Sequence, residues 1–592
     1  MTDQQSAAIA SPPGGGRWTL AAACVLLIAG LVALLPVLPS NIDQKEQPGT
    51  VAYMADVADN GAWLVQRLPE GGVATKPPLL HWAGGVALRL FGGGEWALKA
   101  PVVACFLVLC VLVYALARDD LGQDGALVAV AMFAAVGPTY GLAWIARPDM
   151  PIALFLTIAL LASLKQIRAW REGRTSTLGW IAIFWGSIAM GLLAKGQVAL
   201  IGVAWFAAAA LWHRVRAGVP LARCRPGMQA VGLLLAIGVF GAWAFAAWRA
   251  EPGFAAMVEQ EVVKRSAEGE AFLGKRSREP WNVPLYALSR FVPWSVPMVI
   301  ALIAMAVSAF ERRRARRAGT PEPAPLPRTG WAAGYLGLFV LLLMTQPTHR
   351  PDHLLPAYAA AAVVGATIVV HASRWAGPHR AVILVSLGLI GLSGLAAPIA
   401  AWAAGDPTPL EVVEVATGEI RRDGGPAAAW TVGLVSAVGV IAGAWTLRLV
   451  VTRRFVAAAI GSAWAFSGLL GVNRLLFDEA ARERRGDAQI ETMRLARDAA
   501  ARLGLPIVFH ETGYTALQAL EGRNDPPGED ALRRAVSEGQ GAIVVGRVAS
   551  VEGVSRVAPG RSAVLYLVHA GNEPEAKHRY AISVVRPASG DG

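Results

Sequence analysis

Long apolar stretches dominate this chain, and polar residues collect in a few places between them. A membrane-crossing helix needs about 20 mostly apolar residues. About thirteen stretches approach that length, at 18–38, 98–118, 125–144, 149–167, 177–193, 195–212, 229–249, 284–309, 331–346, 354–372, 381–403, 427–448 and 455–473. The pattern predicts a mainly α, polytopic integral membrane protein. Its first stretch follows a polar start and exceeds a signal h-region in length, so it reads as a retained span.

Threading these spans alternately across a bilayer gathers the basic residues on one side. Arg17, Arg118, the 165–174 and 213–226 loops, the run Arg312, Arg313, Arg314, Arg316 and Arg317, and Arg448, Arg453 and Arg454 all fall there. The positive-inside rule makes that side cytoplasmic, with residues 1–17 as a cytoplasmic tail and 311–328 as a basic, disordered loop. The opposite side receives longer segments at 39–97, 250–283 and 404–426, and everything after Asn473. Within the first of them, 51–59 and 79–90 are apolar at helical spacing but too short to span, which predicts helices lying along the membrane.

The chain changes character near residue 475. A charged, helix-like stretch runs to Leu503, and β-rich runs follow at 507–510, 542–545, 564–568 and 582–585. The alternation predicts a small α/β domain over 476–592, outside the cytoplasm, behind a membrane domain at 18–475. No P-loop, GxGxxG or metal-ligand spacing occurs in it.

Composition sharpens this picture. The chain has 592 residues, 55% of them hydrophobic and 16% charged. A net charge of +12 would suggest nucleic acid in a soluble protein, but from Arg474 onward 16 Lys and Arg balance 16 Asp and Glu. The excess belongs wholly to the membrane part, so no nucleic-acid partner is expected. Four cysteines, all in or beside apolar stretches, offer no disulfide framework.

Ionisable side chains at a membrane face are expensive unless solvated or paired, which makes them functional suspects. Those expected on the non-cytoplasmic side are Asp43, Lys45 and Glu46, Lys76 in a Lys-Pro-Pro, Arg147-Pro-Asp149-Met-Pro, Lys195-Gly196, Glu261 and Arg265, and His349-Arg350-Pro-Asp352-His353-Leu-Leu-Pro. Carboxylates among several cations suit a reaction on a phosphate-linked substrate, with cations holding the anion while a carboxylate accepts a hydroxyl proton. Arg147 either serves that anion or pairs with Asp149. A transporter or flippase of a lipid-linked substrate is the alternative, although inverted halves and broken midplane helices are not visible.

In their order along the chain, these motifs, with Pro280-Trp281 and Pro293-Trp294, resemble the aminoarabinose transferase and protein mannosyltransferase superfamily of GT-C membrane glycosyltransferases over roughly residues 18–475. The resemblance implies transfer of a sugar from a polyprenyl-phosphate donor to a lipid, glycan or protein acceptor, with inversion, at the outer face of the cytoplasmic membrane. It assigns catalysis to Glu46 and Asp149, with Asp43 as the fallback for Glu46. It assigns donor phosphate to Lys76, Arg147, Arg265, His349 and Arg350, with Lys195 and His353 in support. Two departures stand out: Glu46-Gln47 replaces an Asp-Glu pair, and Thr75 replaces a Glu that ligates metal in some relatives, so no cofactor is firmly implied and a divalent metal, though open, has no support from Thr75.

Overall fold

The computed structural model describes residues 15–44, 47–69, 71–259, 279–321, 329–346, 350–372, 378–404, 410–423, 426–478, 481–482, 484–510, 516–523, 529–570 and 579–588. The helices are α1 (Gly15–Leu34), α2 (Gln47–Asp59), α3 (Leu79–Phe91), α4 (Glu95–Ala134), α5 (Gly137–Leu142), α6 (Asp149–Arg171), α7 (Leu178–Lys195), α8 (Leu200–Ala217) and α9 (Pro226–Ala250). They continue as α10 (Asn282–Arg290), α11 (Ser295–Ala318), α12 (Gly330–Met344), α13 (Leu355–Ala372), α14 (Pro378–Leu395), α15 (Ala397–Ala404), α16 (Pro426–Val451) and α17 (Phe455–Leu476).

Among the described residues, ten helical stretches are long and apolar enough to cross a membrane, against the thirteen expected. Two of the ten are 40 residues long, about twice one crossing. Each absorbs two expected spans. The first is α4, where Gly122 breaks the helix at φ 73°; the second joins α7 to α8. Gly330–Met344, at 15 residues, falls short of the length. Two boundaries also move. The span expected over 284–309 is the separate helices α10 and α11, and residues 311–318, expected in a loop, continue α11. Ala and Arg are good helix formers, and the terminal arginines complement the helix dipole, which accounts for the extension.

At the centre of the bundle, α13 is buried over its whole length. Its Ala, Val and Gly residues present small side chains on every face, as suits a helix surrounded by others. It packs against α4, α6, α11 and α12. The next most buried span is α6. By contrast α9 lies at the periphery, with Leu234 and Leu235 more than 60% exposed, as a lipid-facing surface requires.

The polar segment after α1 folds against the bundle. Helices α2 and α3 lie where interfacial helices were expected and pack face to face. His81 on α3 is buried beside the Tyr53 ring, with Nδ1 3.0 Å from Gln66 Oε1. Burial, with the charge of Lys76 added, pushes its imidazole down to about 3.

Beyond α17 come α18 (Arg485–Leu503), β3 (Ile507–His510), α19 (Ala516–Leu520), α20 (Glu529–Ser537), β4 (Ala542–Arg547), α21 (Val551–Val557), β5 (Ser562–Ala570) and β6 (Arg579–Val585). The four strands coincide with the four β-rich runs. Two more were not expected: β1 (Leu410–Glu414) and β2 (Glu419–Asp423) form a hairpin between α15 and α16 and complete one sheet in the order β2-β1-β5-β6-β4-β3. All neighbours are antiparallel except β3 and β4. The alternation of Leu410 and Val412 inward, with Gly418 at the turn, is the signal that could have revealed β1.

This domain is fastened to the first polar segment. Asp487 Oδ1 accepts the Ser40 N–H at 2.9 Å, and Leu520 O accepts the Gly94 N–H at 2.7 Å. A Cβ on Gly486 would lie 2.5 Å from Ser40 O, so only glycine permits this approach. Gly486→Val is expected to cost about 1–3 kcal/mol of docking, in line with overpacking elsewhere, read as faster proteolysis between α17 and α18.

His81 provides a second test. Its folded-state value lies below the ordinary 6.5, so the stability of its neutral, buried form is present above about pH 6.5 and is lost as pH falls towards 3. Between pH 7.5 and 5 the α2–α3 pair should lose about 2 kcal/mol, measured by hydrogen exchange of 47–91. His81→Gln should flatten that dependence.

Candidate functional site

Two helix ends meet at the heart of the site. Asp149 opens α6 directly after Pro148, where the unpaired N–H groups of a first turn favour an acid. Lys195 closes α7, where the last carbonyls favour a cation, and Gly196 at φ 61° turns the chain away immediately afterwards. Each charge therefore suits its own helix, and the two suit each other: Lys195 Nζ lies 2.5 Å from Asp149 Oδ1.

The chain of charges continues from the other oxygen. Arg147 Nε is 3.3 Å from Asp149 Oδ2, and its guanidinium donates from Nη1 to Asp352 Oδ2 at 2.7 Å. Asp352 belongs to a 3-10 turn, Pro351–Leu354, that leads into α13. The two cations and two carboxylates balance, which is how charges are tolerated inside a bundle. Asp149 itself is 1% exposed, and its Oδ2 accepts no hydrogen bond among the described residues. That leaves a buried carboxylate oxygen with a lone pair available to a hydroxyl. His353 lies within electrostatic reach of Asp149, Lys195, Arg350 and Asp352.

An amide ties this cluster to the first polar segment. Gln47 is fully buried; its Oε1 accepts the Ala146 N–H at 2.9 Å and its Nε2 donates to Asn41 O at 2.5 Å. The turn carrying Arg147 and Asp149 is thus held against residues 41–47. Beneath it, buried Lys99 bonds Asn41 Oδ1 and Glu95 and sits 4.8 Å above the Trp144 ring. Asp43 is within electrostatic reach of Lys99.

Of the residues singled out from sequence, the structure brings together Arg147, Asp149, Lys195 and His353, with Arg350 beside His353. Lys76 is half-buried near His81. Glu46, Arg265 and His349 lie outside the described residues. Three partners were missed. Asp352 stood inside a recognised motif without a role, Gln47 read as a departure, and Lys99 was hidden at the start of an apolar run. Among the described residues no three His, Cys, Asp or Glu side chains gather as a metal site would require.

The sequence profile of the dolichyl-phosphate-mannose-protein mannosyltransferase family matches residues 75–243, a span that holds Lys76, Arg147, Asp149 and Lys195. The chain is 25% identical over 391 residues to an undecaprenyl phosphate-alpha-4-amino-4-deoxy-L-arabinose arabinosyl transferase of Erwinia tasmaniensis, covering 64% of this chain and 65% of that protein. A protein of the same description from Edwardsiella ictaluri is 25% identical over 393 residues, covering 64% of each chain. The match therefore spans just under two thirds of these relatives. The crystal structure of ArnT from Cupriavidus metallidurans bound to undecaprenyl phosphate superposes with a TM-score of 0.60 over 94% of this chain and 97% of that one, at 17% identity. On these grounds the chain has the fold of the aminoarabinose transferase and protein mannosyltransferase superfamily of GT-C membrane proteins, the same superfamily that its motifs resemble.

Proposed function

We propose that this protein is a multi-pass enzyme of the cytoplasmic membrane that transfers a sugar from a polyprenyl-phosphate donor to a hydroxyl acceptor, at the membrane face where α6 begins. The observation that carries this reading is buried Asp149, held between Lys195 and Arg147 with one oxygen that accepts no hydrogen bond among the described residues. The arabinosyl transferases and the undecaprenyl phosphate bound to the Cupriavidus protein support the donor class. The basic residues at the far ends of the spans support the orientation, with the site on the non-cytoplasmic side.

In this reading the acceptor oxygen attacks the anomeric carbon, the bond from that carbon to the donor phosphate breaks, and the phosphate leaves with the electron pair. Asp149 or Glu46 takes the acceptor proton. Cations from the set Lys76, Arg147, Arg265, His349 and Arg350 meet the charge that grows on the departing phosphate, with Lys195 and His353 holding the carboxylate in place. Attack opposite the leaving group inverts the anomeric centre. Catalysis is then positioning plus electrostatics, in a site too dry for water to screen either. The acceptor class is a lipid, glycan or protein.

Purified protein in nanodiscs, offered a panel of polyprenyl-phosphate sugars and scored for sugar release or transfer, tests this directly. Wild type should turn over at least one donor, and Asp149→Asn should lower the rate about 10²- to 10⁴-fold, the range for a lost proton acceptor. Glu46→Gln should lose most activity as well, and full activity in both variants would sink the mechanism. Movement of an intact donor across the bilayer, without chemistry, would replace it with transport.

The ion pairs make a separate prediction. Lys195→Met leaves a buried carboxylate short of a partner and should destabilise the protein by about 3 kcal/mol, seen as a lower unfolding temperature. Adding Asp149→Leu to that variant should recover most of the stability and none of the transfer.

A further inference from the structure

A second polar cluster lies at the other end of the bundle. Helix α6 rises about 1.5 Å per residue, so Arg168 is about 28 Å from Asp149, nearly the whole hydrocarbon thickness. There α6, α8, α11 and α12 enclose a cavity of about 1090 Å³. Arg168 and Arg171 from α6, Arg216 from α8, and Arg312 and Arg316 from α11 line it, against a single lining carboxylate, Asp120.

Topology alone asks only that arginines lie on one side of the membrane. It does not ask three helices to aim them into one space. Asp120 is already engaged, accepting from Trp331 Nε1 at 2.8 Å and Arg168 Nη2 at 3.2 Å, and Arg168 is paired with Asp119 as well. Arg171, Arg216 and Arg312 make no ion pair among the described residues. Arg216 rests 5.1 Å above the Trp212 ring, and Arg312 donates to Ser308 O of its own helix. Apart from His213 and the Trp rings, the remaining wall is apolar, with Leu164, Ile167, Met305 and Leu338. On the outside of the same helices Leu211, Val215 and Phe310 are each more than 60% exposed, as lipid-facing residues are.

We infer that this cavity binds one anionic glycerophospholipid of the adjacent leaflet. The headgroup phosphate lies among Arg171, Arg216 and Arg312, and the acyl chains run along the apolar wall. Arginine guanidinium groups match phosphate oxygens in geometry and charge, and basic pockets between spans recognise such headgroups. The apolar wall favours a lipid over a free anion, which would leave that volume without contacts. Interfacial Trp212, 56% exposed, marks the level at which a headgroup sits.

Native mass spectrometry of the full chain released from nanodiscs of equal phosphatidylglycerol and phosphatidylcholine tests the assignment. Wild type should retain one phosphatidylglycerol in preference to phosphatidylcholine. The variant Arg171→Gln/Arg216→Gln/Arg312→Gln should retain at least tenfold less, while Arg448→Gln/Arg454→Gln, away from the cavity, should match wild type. An unchanged unfolding temperature checks that the triple variant is folded, and Arg216→Gln alone provides a milder version. Equal retention of both lipids, or retention unaffected by the triple substitution, would overturn the site. Displacement of the bound lipid by millimolar inorganic phosphate would make it a free-anion site. Displacement by equimolar undecaprenyl phosphate would make its occupant a polyprenyl lipid, and either result overturns a phospholipid occupant.

Discussion

Keeping charge inside a bundle of apolar helices is the constraint from which the rest of this structure follows. An isolated carboxylate at the depth of Asp149 would be driven to take up a proton. Here Lys195 and Arg147 flank it, and Asp352 balances Arg147, so the cluster as a whole is neutral. Its members come from the start of α6, the end of α7, the turn before α6 and the turn before α13. Three chain reversals must therefore converge before any one of these charges becomes tolerable. Three of the four charges, Arg147, Asp149 and Asp352, lie on or directly before α6 and α13, the two most buried spans.

Neutrality is not symmetry, however. Lys195 satisfies one oxygen of Asp149 with a short hydrogen bond, whereas Arg147 faces the other without forming one. The carboxylate is thus oriented by one partner and left with spare accepting capacity towards the other. Around this core the polar segment after α1 is a structural collar. Gln47 grips the turn before Asp149, Lys99 anchors Asn41, and Ser40 takes up Asp487 from the C-terminal domain. The sheet of that domain includes a hairpin from between two spans, so its β1 and β2 are tied at both ends to membrane helices.

Much of the membrane architecture was legible in the chain because bilayer thickness sets a length and apolar composition marks it. Arg147, Asp149 and Lys195 were legible for the related reason that an ionisable group bordering an apolar run is costly and therefore conspicuous. Their partnership was harder to see. Asp352 is 205 residues from Arg147 and Gln47 is 99 residues from Ala146, and no local periodicity connects positions so distant. The hairpin escaped for a similar reason: β2 reads Glu-Ile-Arg-Arg-Asp, which has little strand character of its own and gains it only beside β1. The span expected over 284–309 shows the opposite error, since the residues between α10 and α11 interrupt a stretch whose hydropathy runs on.

Local physical chemistry therefore decided that this chain enters a membrane, roughly where it crosses, that it ends in an α/β domain, and which few ionisable residues bear watching. Those features depend on residue type and spacing within a window of one helix or strand. Folding in three dimensions decided which charges neutralise which, how the first polar segment is clamped between the bundle and the helices of the C-terminal domain, and that arginines from three helices face one cavity at the far end. Those features depend on distances between residues far apart in the chain, and electrostatic pairing acts through space without regard to sequence separation.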